Sequence, residues 1–461
     1  MTDFSSKTTA EIAALTSAEV ASMSSQDLAA LSTAQIAALT AQQIGWVKAA
    51  SLKGLGDAQV VALTTAQAAA LGSAQLAALT TAQVAAMETA DLAALSATGV
   101  AGLTSAQLGG LSTGQVAALT TAQVAALSSV AVKGLGSVQA SGLTTAQVAA
   151  LSTAQLKAFS TAGMTGLGTA QIVALSSAQA AVLGSAQVAA LTTAQAAAME
   201  TADLAALTSV AVKGLSSTQV GALTTAQVAA LTTGQLGALS TGALKGLTTA
   251  QVVALTTAQA AGLGSAQVAG LSSTQIAALE TADLAALSSA GLKGLGSAQA
   301  AGLTTAQVAA LTTAQVGQLS SAALKGLGTA QVVALTTAQA AALGTAQVGA
   351  LSTAQVAALE TVDLAALSTA AANALTSAQA ASLTTAQVAA LTTAQVAALS
   401  TGAVKGLSST QAGALTTAQV AALTTGQLGA LTTAALKGLT TAQVVALTTA
   451  QAAGLGSAQV A

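Results

Sequence analysis

The chain has 461 residues and a net charge of −2, and charged residues make up 5% of it, against about 25% in an average domain. It contains no proline, cysteine, histidine, tyrosine or arginine, which excludes disulfides, thiolate chemistry and cysteine-based metal sites. The near balance of charge gives no electrostatic footprint for nucleic acid or for an anionic membrane.

The hydrophobic content does not indicate a membrane-spanning segment. The mean hydropathy is +0.73, but Thr, Ser or Gln interrupts the apolar residues every few positions, so no apolar run of about 18 residues exists. The start of the chain, from Met1 to Lys7, lacks the charged and then apolar plan of a secretory signal. We predict no integral membrane segment, and an extracellular or cell-surface location reached by a non-classical export route; the alternative is a cytoplasmic protein.

The N-terminal region, residues 1–57, is the least regular part of the chain. Charged residues concentrate there, and Trp46, the only tryptophan, occupies a position that elsewhere holds a small residue. A repeat array needs a polar terminal repeat to prevent end-to-end stacking. We therefore predict that residues 1–57 form irregular capping repeats.

Residues 58–461 repeat an eight-residue unit, the octad, with the consensus Leu-Thr-Thr-Ala-Gln-Val-Ala-Ala and without insertion or deletion. Such a short period predicts a regular solenoid rather than a globule with one cleft. The last octad stops at Ala461 without a cap, which predicts that the natural protein continues beyond this residue.

One octad predicts one short capped helix. Thr144 fits the N-cap and Gln147 the N3 position of a capping box, and Leu143 and Val148 fit the partners of a hydrophobic staple. A continuous helix turns about 100° per residue, so the leucine stripe would drift by about 80° per octad. On a strand, Val148 and Leu151 would face opposite sides. We predict an all-α, narrow solenoid of very short capped helices with a Leu/Val core; the alternative is a β-solenoid.

Two kinds of octad alternate when each is numbered by its N-cap residue divided by eight. Glycine and glutamate take the N-cap only in odd octads, and lysine falls in even octads with Lys157 as the exception. The glycine and glutamate positions are Gly56, Gly72, Gly136, Gly168, Gly184, Gly264, Gly296, Gly328, Gly344 and Gly456, and Glu88, Glu200, Glu280 and Glu360. We predict that octads pair into 16-residue coils. With helices about 8–10 Å apart, roughly 28 such coils would form a rod on the order of 250 Å long.

Paired carboxylates are the one pattern that suggests chemistry. They are Glu88 and Asp91, Glu200 and Asp203, Glu280 and Asp283, and Glu360 and Asp363. Such pairs could bind Ca²⁺, but acids in the first helical turn also suit the helix dipole, and the glycine-rich calcium repeat is missing. No nucleophile–base pair or metal-ligand set is present. We predict a protein that is not an enzyme, with no catalytic, cofactor-binding or metal-binding residues and no cofactor.

Two short patterns resemble parts of known families. Residues 439–447, Leu-Thr-Thr-Ala-Gln-Val-Val-Ala-Leu, resemble the opening helix of TAL-effector DNA-binding repeats over about eight residues. No base-reading positions or positive face accompany this segment, so we predict no binding to nucleic acid. The Thr pairs of the octads, as at Thr144 and Thr145, could stack into hydroxyl rows that resemble those of ice-binding solenoids, although the Thr-x-Thr spacing of those proteins is absent.

The whole chain resembles the low-complexity Ala/Thr/Gln octapeptide-repeat regions of giant bacterial surface or secreted proteins. This resemblance implies a non-catalytic structural repeat protein, an extended rod used as a stalk, filament or cell-surface spacer. Few charges and many small side chains favour lateral or end-to-end association with copies of itself, and we expect no small-molecule ligand. The alternative function is an ice-binding or other surface-binding solenoid that uses regular Thr rows.

Overall fold

The computed structural model describes residues 3–460, apart from the side chains of Ala458 and Val460. Each octad from Thr8 onward forms one helix, and every helix begins at the residue after a multiple of eight. The described residues form short helices joined by extended corners and contain no strand, so the all-α prediction is confirmed and the β-solenoid is not supported.

The helices differ only in where they end. The standard helix has six residues, as in Ser17–Ser22 and Thr145–Ala150, and Ala49–Gly54 is a 3₁₀ helix of the same length. Helices of five residues are Thr9–Ala13, Asp57–Val61, Thr65–Ala69, Ser105–Gly109, Ser137–Ser141, Thr169–Val173, Ser185–Ala189, Thr249–Val253, Thr257–Ala261, Ser297–Ala301, Thr329–Val333, Thr337–Ala341, Thr369–Asn373, Thr401–Lys405, Thr441–Val445 and Thr449–Ala453. Helices of four residues are Ala97–Val100, Ser129–Val132, Ser177–Ala180, Ser209–Val212, Thr241–Leu244, Ser289–Leu292, Thr433–Leu436 and Ser457–Val460.

Capping boxes start most of these helices at the predicted residues. In the helix Thr145–Ala150, the backbone N–H of Gln147 donates to Thr144 Oγ1 at 3.2 Å, and the backbone N–H of Thr144 donates to Gln147 Oε1 at 2.7 Å. Two otherwise unpaired N–H groups of the first turn are thereby satisfied. The helix ends at Leu151, whose extended backbone turns the chain toward the next N-cap.

The core contains two apolar side chains per octad. Val148 at N4 and Leu151 at the corner are 0% and 3% exposed, and the staple partner Leu143 is 5% exposed. Burial of one such side chain stabilises a fold by roughly 1.5–3 kcal/mol. Because an isolated helix of six residues does not persist in water, this burial against neighbouring octads is what holds each helix in place.

The predicted 16-residue coil is wrong. Gln147 Nε2 donates to Val116 O at 2.9 Å and to Leu119 O at 2.5 Å, so the neighbouring coil lies 28 to 31 residues back rather than 16. The same spacing recurs at Gln355, whose Nε2 donates to Leu324 O and Leu327 O at 2.7 Å each. One coil therefore contains between three and four octads.

Contacts between residues divide the chain into two units, Met1–Leu231 and Thr232–Ala461. Both units consist of the same octads with the same spacing between neighbouring coils, as the bonds of Gln147 in the first unit and Gln355 in the second illustrate. The predicted division into capping residues 1–57 and regular residues 58–461 remains a prediction.

Candidate functional site: the N3 position of the octad

Glutamine at N3 is the recurring polar site of the molecule. Gln147 is 1% exposed, and its single amide group uses the oxygen for the capping box and the nitrogen for carbonyls of the preceding coil. A buried amide without partners would cost free energy, whereas this amide is satisfied at both ends. Gln at N3 therefore connects the start of its own helix to the end of a helix four octads earlier.

The sequence predicted only the local half of this role. The capping box lies within one octad, so the Thr-x-x-Gln pattern reveals it directly. The bonds from Nε2 join residues 28 to 31 positions apart, as between Gln147 and Leu119 or Val116, and no local pattern specifies that distance.

Octads with a short side chain at N3 form a second class, which we call compact octads. Their N3 residues are Ser51, Gly99, Ala131, Gly163, Ala211, Ala243, Gly291, Ala323, Ala371, Ala403 and Ala435. A Cβ atom added to Gly99 would lie 2.6 Å from Leu71 O, and one added to Gly291 would lie 2.7 Å from Leu263 O. At these N3 glycines the helix backbone therefore lies directly against the carbonyl that a glutamine amide reaches elsewhere.

Compact octads explain the even positions of lysine. Eight lysines, including Lys133 and Lys213, follow a short N3 residue by two positions, and compact octads recur every 32 or 48 residues. Both intervals are even numbers of octads, so the odd–even pattern reflects the placement of this class and not a coil of two octads. Lys133 is an exposed C-cap residue, where its positive charge suits the C-terminal end of the helix.

Acidic N3 residues near the N-terminus remain at the surface. Glu11 accepts hydrogen bonds from the backbone N–H and the hydroxyl of Thr8 at 2.7 and 2.8 Å, and these bonds hold the pKa of Glu11 below its ordinary value. Hydroxyl and backbone N–H bonds from the N-cap lower the pKa of Glu19 and Asp27 in the same way. The acidic side chains of these three capping boxes are therefore ionised more readily than an ordinary carboxyl group.

The first N3 glutamine with a partner in an earlier octad is Gln35. Its Nε2 donates to Ser5 O at 3.1 Å and to Lys7 O at 2.7 Å. The acids at Glu11, Glu19 and Asp27 stand in the three octads before it, and their side chains are exposed or half-buried. Each of these acids completes a capping box without full burial of its charge.

Internal acids occupy the same position in a different environment. Asp91, Asp203, Asp283 and Asp363 are N3 residues, as predicted for acids of the first turn, but they are 1–3% exposed. The N-cap glutamates that precede them are exposed and make no side-chain capping bond. Burial raises the pKa of Asp91 and of Asp283, and the nearby glutamates, Glu88 and Glu280, add to the rise.

The outer surface is formed mainly by the N-cap, N1 and N2 residues. Thr144, Thr145 and Ala146 are all exposed, and the same positions are exposed in most other octads. Val130 and Val210, at N2 of two compact octads, are each 65% exposed. The surface therefore presents hydroxyls, methyl groups and single valines, with few charges.

Each unit contains a shallow recess. The first, of about 460 Å³, is lined by residues 197–202 together with Val173, Thr224 and Gln227. The second, of about 430 Å³, is lined by Ser273, Thr274, Ala277, Ala298, Ala301 and Gly302. Glu200 is the only ionisable group that lines either recess.

Residues 3–460 contain neither a cluster of acidic residues that could hold a metal ion nor a membrane-spanning helix. No three or more of the described Asp and Glu residues come together in a way that could hold a metal ion. None of the described helices has the length and apolar character that crossing a membrane requires. The predicted absence of catalytic, cofactor-binding and metal-binding residues remains a prediction.

Comparison with known proteins places the chain in a repeat family. The model of the ALTTAQ repeat matches residues 8–41, 84–121, 117–153, 148–176, 167–199, 196–233, 228–264, 276–313, 313–345, 335–361, 356–393, 388–425 and 420–457. No curated protein matches the chain. The 13 matches cover well over half of the sequence, and the chain therefore belongs to the ALTTAQ repeat family.

Proposed function

We propose that this tandem-repeat helical solenoid is a structural element, used as a stalk, filament or cell-surface spacer, that associates with copies of itself. The observation that carries the proposal is the set of hydrogen bonds from N3 glutamines, such as Gln147, to backbone carbonyls of the preceding coil, which we call the glutamine ladder. This ladder repeats one stabilising contact from octad to octad. The fold consequently maintains a regular surface along many residues, and that property suits a spacer or a filament subunit.

The composition of the surface supports self-association. With charged residues at 5% of the chain, electrostatic repulsion between copies is small. Val130 and Val210 are each 65% exposed at equivalent positions 80 residues apart, and removal of these apolar side chains from water would favour contact between copies. Lateral contact between copies would bury these valines against small side chains.

Sedimentation velocity and electron microscopy of the full chain over a range of concentrations test this proposal. We expect larger species at higher concentration, and a weaker concentration dependence in the double variant Val130→Lys and Val210→Lys. The matched control, Ala146→Lys and Ala226→Lys, adds the same charge at exposed N2 positions without removing a valine. Single dispersed particles at every concentration would contradict self-association.

Ice binding is the second candidate function. It is favoured by the exposure of the N1 hydroxyls, such as those of Thr145 and Thr225, at a fixed interval along the chain. Thermal hysteresis and inhibition of ice recrystallisation measure it directly. The absence of both activities at concentrations where the protein remains folded would remove this candidate.

We also propose that the protein acts outside the cell or on its surface, with a cytoplasmic location as the alternative. The proposal rests on the resemblance to repeat regions of surface and secreted proteins and is compatible with the lack of cysteine. Fractionation of the producing cells, followed by immunodetection with a cytoplasmic marker as control, decides between the two locations.

A further inference from the structure

Four octads combine a glutamate at the N-cap with an aspartate at N3. The aspartates are Asp91, Asp203, Asp283 and Asp363, and each is buried in the described structure. Their position is the one from which a glutamine amide otherwise donates to the preceding coil. Replacement of glutamine by aspartate therefore puts an acid where the fold uses a hydrogen-bond donor.

The second unit contains a direct comparison between the two residue types. Gln275 Nε2 donates to Leu244 O at 2.9 Å and to Leu247 O at 2.7 Å. At Asp283 the corresponding carbonyls belong to Val252 and Leu255, 31 and 28 residues back. An ionised aspartate has no proton to donate, and its side chain is one methylene shorter than that of glutamine.

One carboxylate oxygen has no partner at three of these sites. In the described structure, the Oδ2 atoms of Asp203, Asp283 and Asp363 are buried and make no hydrogen bond. The other oxygen is satisfied, because Oδ1 of Asp203 accepts from the Ser177 hydroxyl at 2.7 Å and Oδ1 of Asp363 from the Thr337 hydroxyl at 2.8 Å. A buried polar atom without a partner is costly and needs an explanation.

No basic side chain compensates the charge of Asp283. The helix Thr281–Ala286 packs against Thr257–Ala261 and Thr305–Ala310, and neither of these helices contains an ionisable residue. Glu280 at the N-cap is acidic, and Lys293, ten residues further along, is exposed and forms no salt bridge with Asp283 among the described contacts. Any compensating positive charge must therefore come from solution.

The other three sites have the same surroundings. Helices packed against the aspartate helices are Thr65–Ala69 and Thr113–Ala118 for Asp91, Ser177–Ala180 and Thr225–Ala230 for Asp203, and Thr337–Ala341 and Thr385–Ala390 for Asp363. None of these helices contains a charged residue, and the N-cap glutamate is again the nearest ionisable group in sequence.

We propose that Asp283 is a proton-binding site, at which a neutral carboxyl replaces the neutral amide that glutamine supplies in other octads. A proton taken from water is held on Oδ2, and its release leaves a buried carboxylate that weakens the packing of that octad on the preceding coil. The covered Oδ2 atoms favour a proton over a metal ion, because a proton needs no additional space.

The sign of the effect follows from burial. Since burial raises the pKa of Asp91 and Asp283 above the ordinary value of 3.8, the folded state favours the neutral form. This contribution to stability is complete below the pKa of the unfolded chain and is lost as the pH rises through the folded pKa. Rising pH therefore loosens the octads of Asp91 and Asp283.

Carbon NMR of the full chain labelled at the aspartate carboxyl carbon tests the proposal. The chain has seven aspartates, so seven signals are expected, and single Asp→Asn variants assign them. We expect Asp91 and Asp283 to titrate above 3.8, and we expect Asp3 and Asp27, whose pKa values hydrogen bonds lower, to titrate below it. Titration of Asp283 at or below 3.8 would overturn the proposal.

Amide hydrogen exchange supplies a second readout that does not depend on assignment of every signal. In the variant with all four aspartates changed to Asn, a neutral donor is permanent, so protection of the octads around Asp283 should not fall as the pH rises. Relative to this variant at the same pH, the protection of the wild-type amides in these octads should fall about tenfold for each unit by which the aspartate pKa in the folded state exceeds that in the unfolded state. Changing the four N-cap glutamates to Gln is the matched control and should reduce the pH dependence without abolishing it, because burial is the main cause of the raised pKa and Glu280 only adds to it.

Calcium chloride distinguishes a proton from a metal ion. If the sites bind protons, added Ca²⁺ leaves the aspartate titrations unchanged. If Ca²⁺ lowers the pKa values of these aspartates in the wild type, the sites bind a metal ion and the proton assignment is wrong.

Discussion

Replacing Gln147 with alanine tests the central contact of the fold. The substitution removes the Oε1 acceptor of the Thr144 N–H and the Nε2 donor to Leu119 O and Val116 O. Val116 O keeps a hydrogen bond from the backbone N–H of Leu119 at 3.2 Å. Leu119 O loses a buried donor, and the Thr144 N–H becomes dependent on water.

The expected loss of stability follows from these orphaned groups. A buried group left without its hydrogen-bond partner costs about 1–3 kcal/mol, and the partly solvated Thr144 N–H costs less. We expect a local destabilisation of about 2–3 kcal/mol, confined to the octad of Gln147 and the octad that contains Leu119. Because about 1.4 kcal/mol corresponds to a factor of ten, amide exchange there should accelerate by about 30- to 100-fold.

Hydrogen exchange with mass spectrometry of the full chain measures this acceleration in peptides that cover residues 112–119 and 144–151. The matched control is Glu19→Ala, which removes a capping-box partner that makes no bond to an earlier coil. The control should affect only its own octad. Equal acceleration in both variants, or unchanged exchange in residues 112–119 of the Gln147 variant, would refute the role assigned to the amide nitrogen.

Further predictions concern the space around two glycines and the titration of two glutamates. Gly134→Ala should destabilise the first unit, because the added methyl group would overlap Ser105 O. Gly114→Ala meets nothing within 4 Å and should raise the thermal midpoint slightly, so equal midpoints for the two variants would contradict this reasoning. The capping boxes of Glu11 and Glu19 should weaken as the pH falls through their lowered pKa values, since their contribution is present above the unfolded pKa and lost below the folded one. Hydrogen exchange of residues 8–22 as a function of pH checks this, and Glu→Gln variants at both sites should flatten the profile.

The local structure could be predicted from the sequence because its causes lie within one octad. The Thr144 N-cap, the Gln147 N3 position and the Leu143–Val148 staple are separated by three to five residues, and each has a known propensity. The number of octads in a coil could not be predicted, since it depends on how helices pack across 28 to 31 residues.

The odd–even pattern of the octads was misleading as a guide to the length of the coil. Its lysines follow the compact octads, whose spacing of 32 or 48 residues is a multiple of 16 by the arrangement of the sequence and not by the geometry of the coil, and the glycine and glutamate N-caps lie outside the compact octads. Similarly, acids of the first turn were placed correctly at N3, but the burial of Asp283 depends on the coil that covers it. The octad alone does not specify that coil, and the N3 acid Asp27, near the N-terminus, is only partly buried.

The glutamine ladder has a consequence for how such a chain can change in length. The amide nitrogen of an N3 residue such as Gln147 donates only to backbone carbonyls, those of Val116, Ala117 and Leu119, and every octad offers the same backbone groups. Insertion or loss of whole octads then gives each glutamine a new partner that is chemically identical to the old one. Genes that encode this repeat can gain or lose multiples of 24 nucleotides without creating a new interface, while the compact and aspartate octads, whose fit depends on particular side chains, limit where such changes are tolerated.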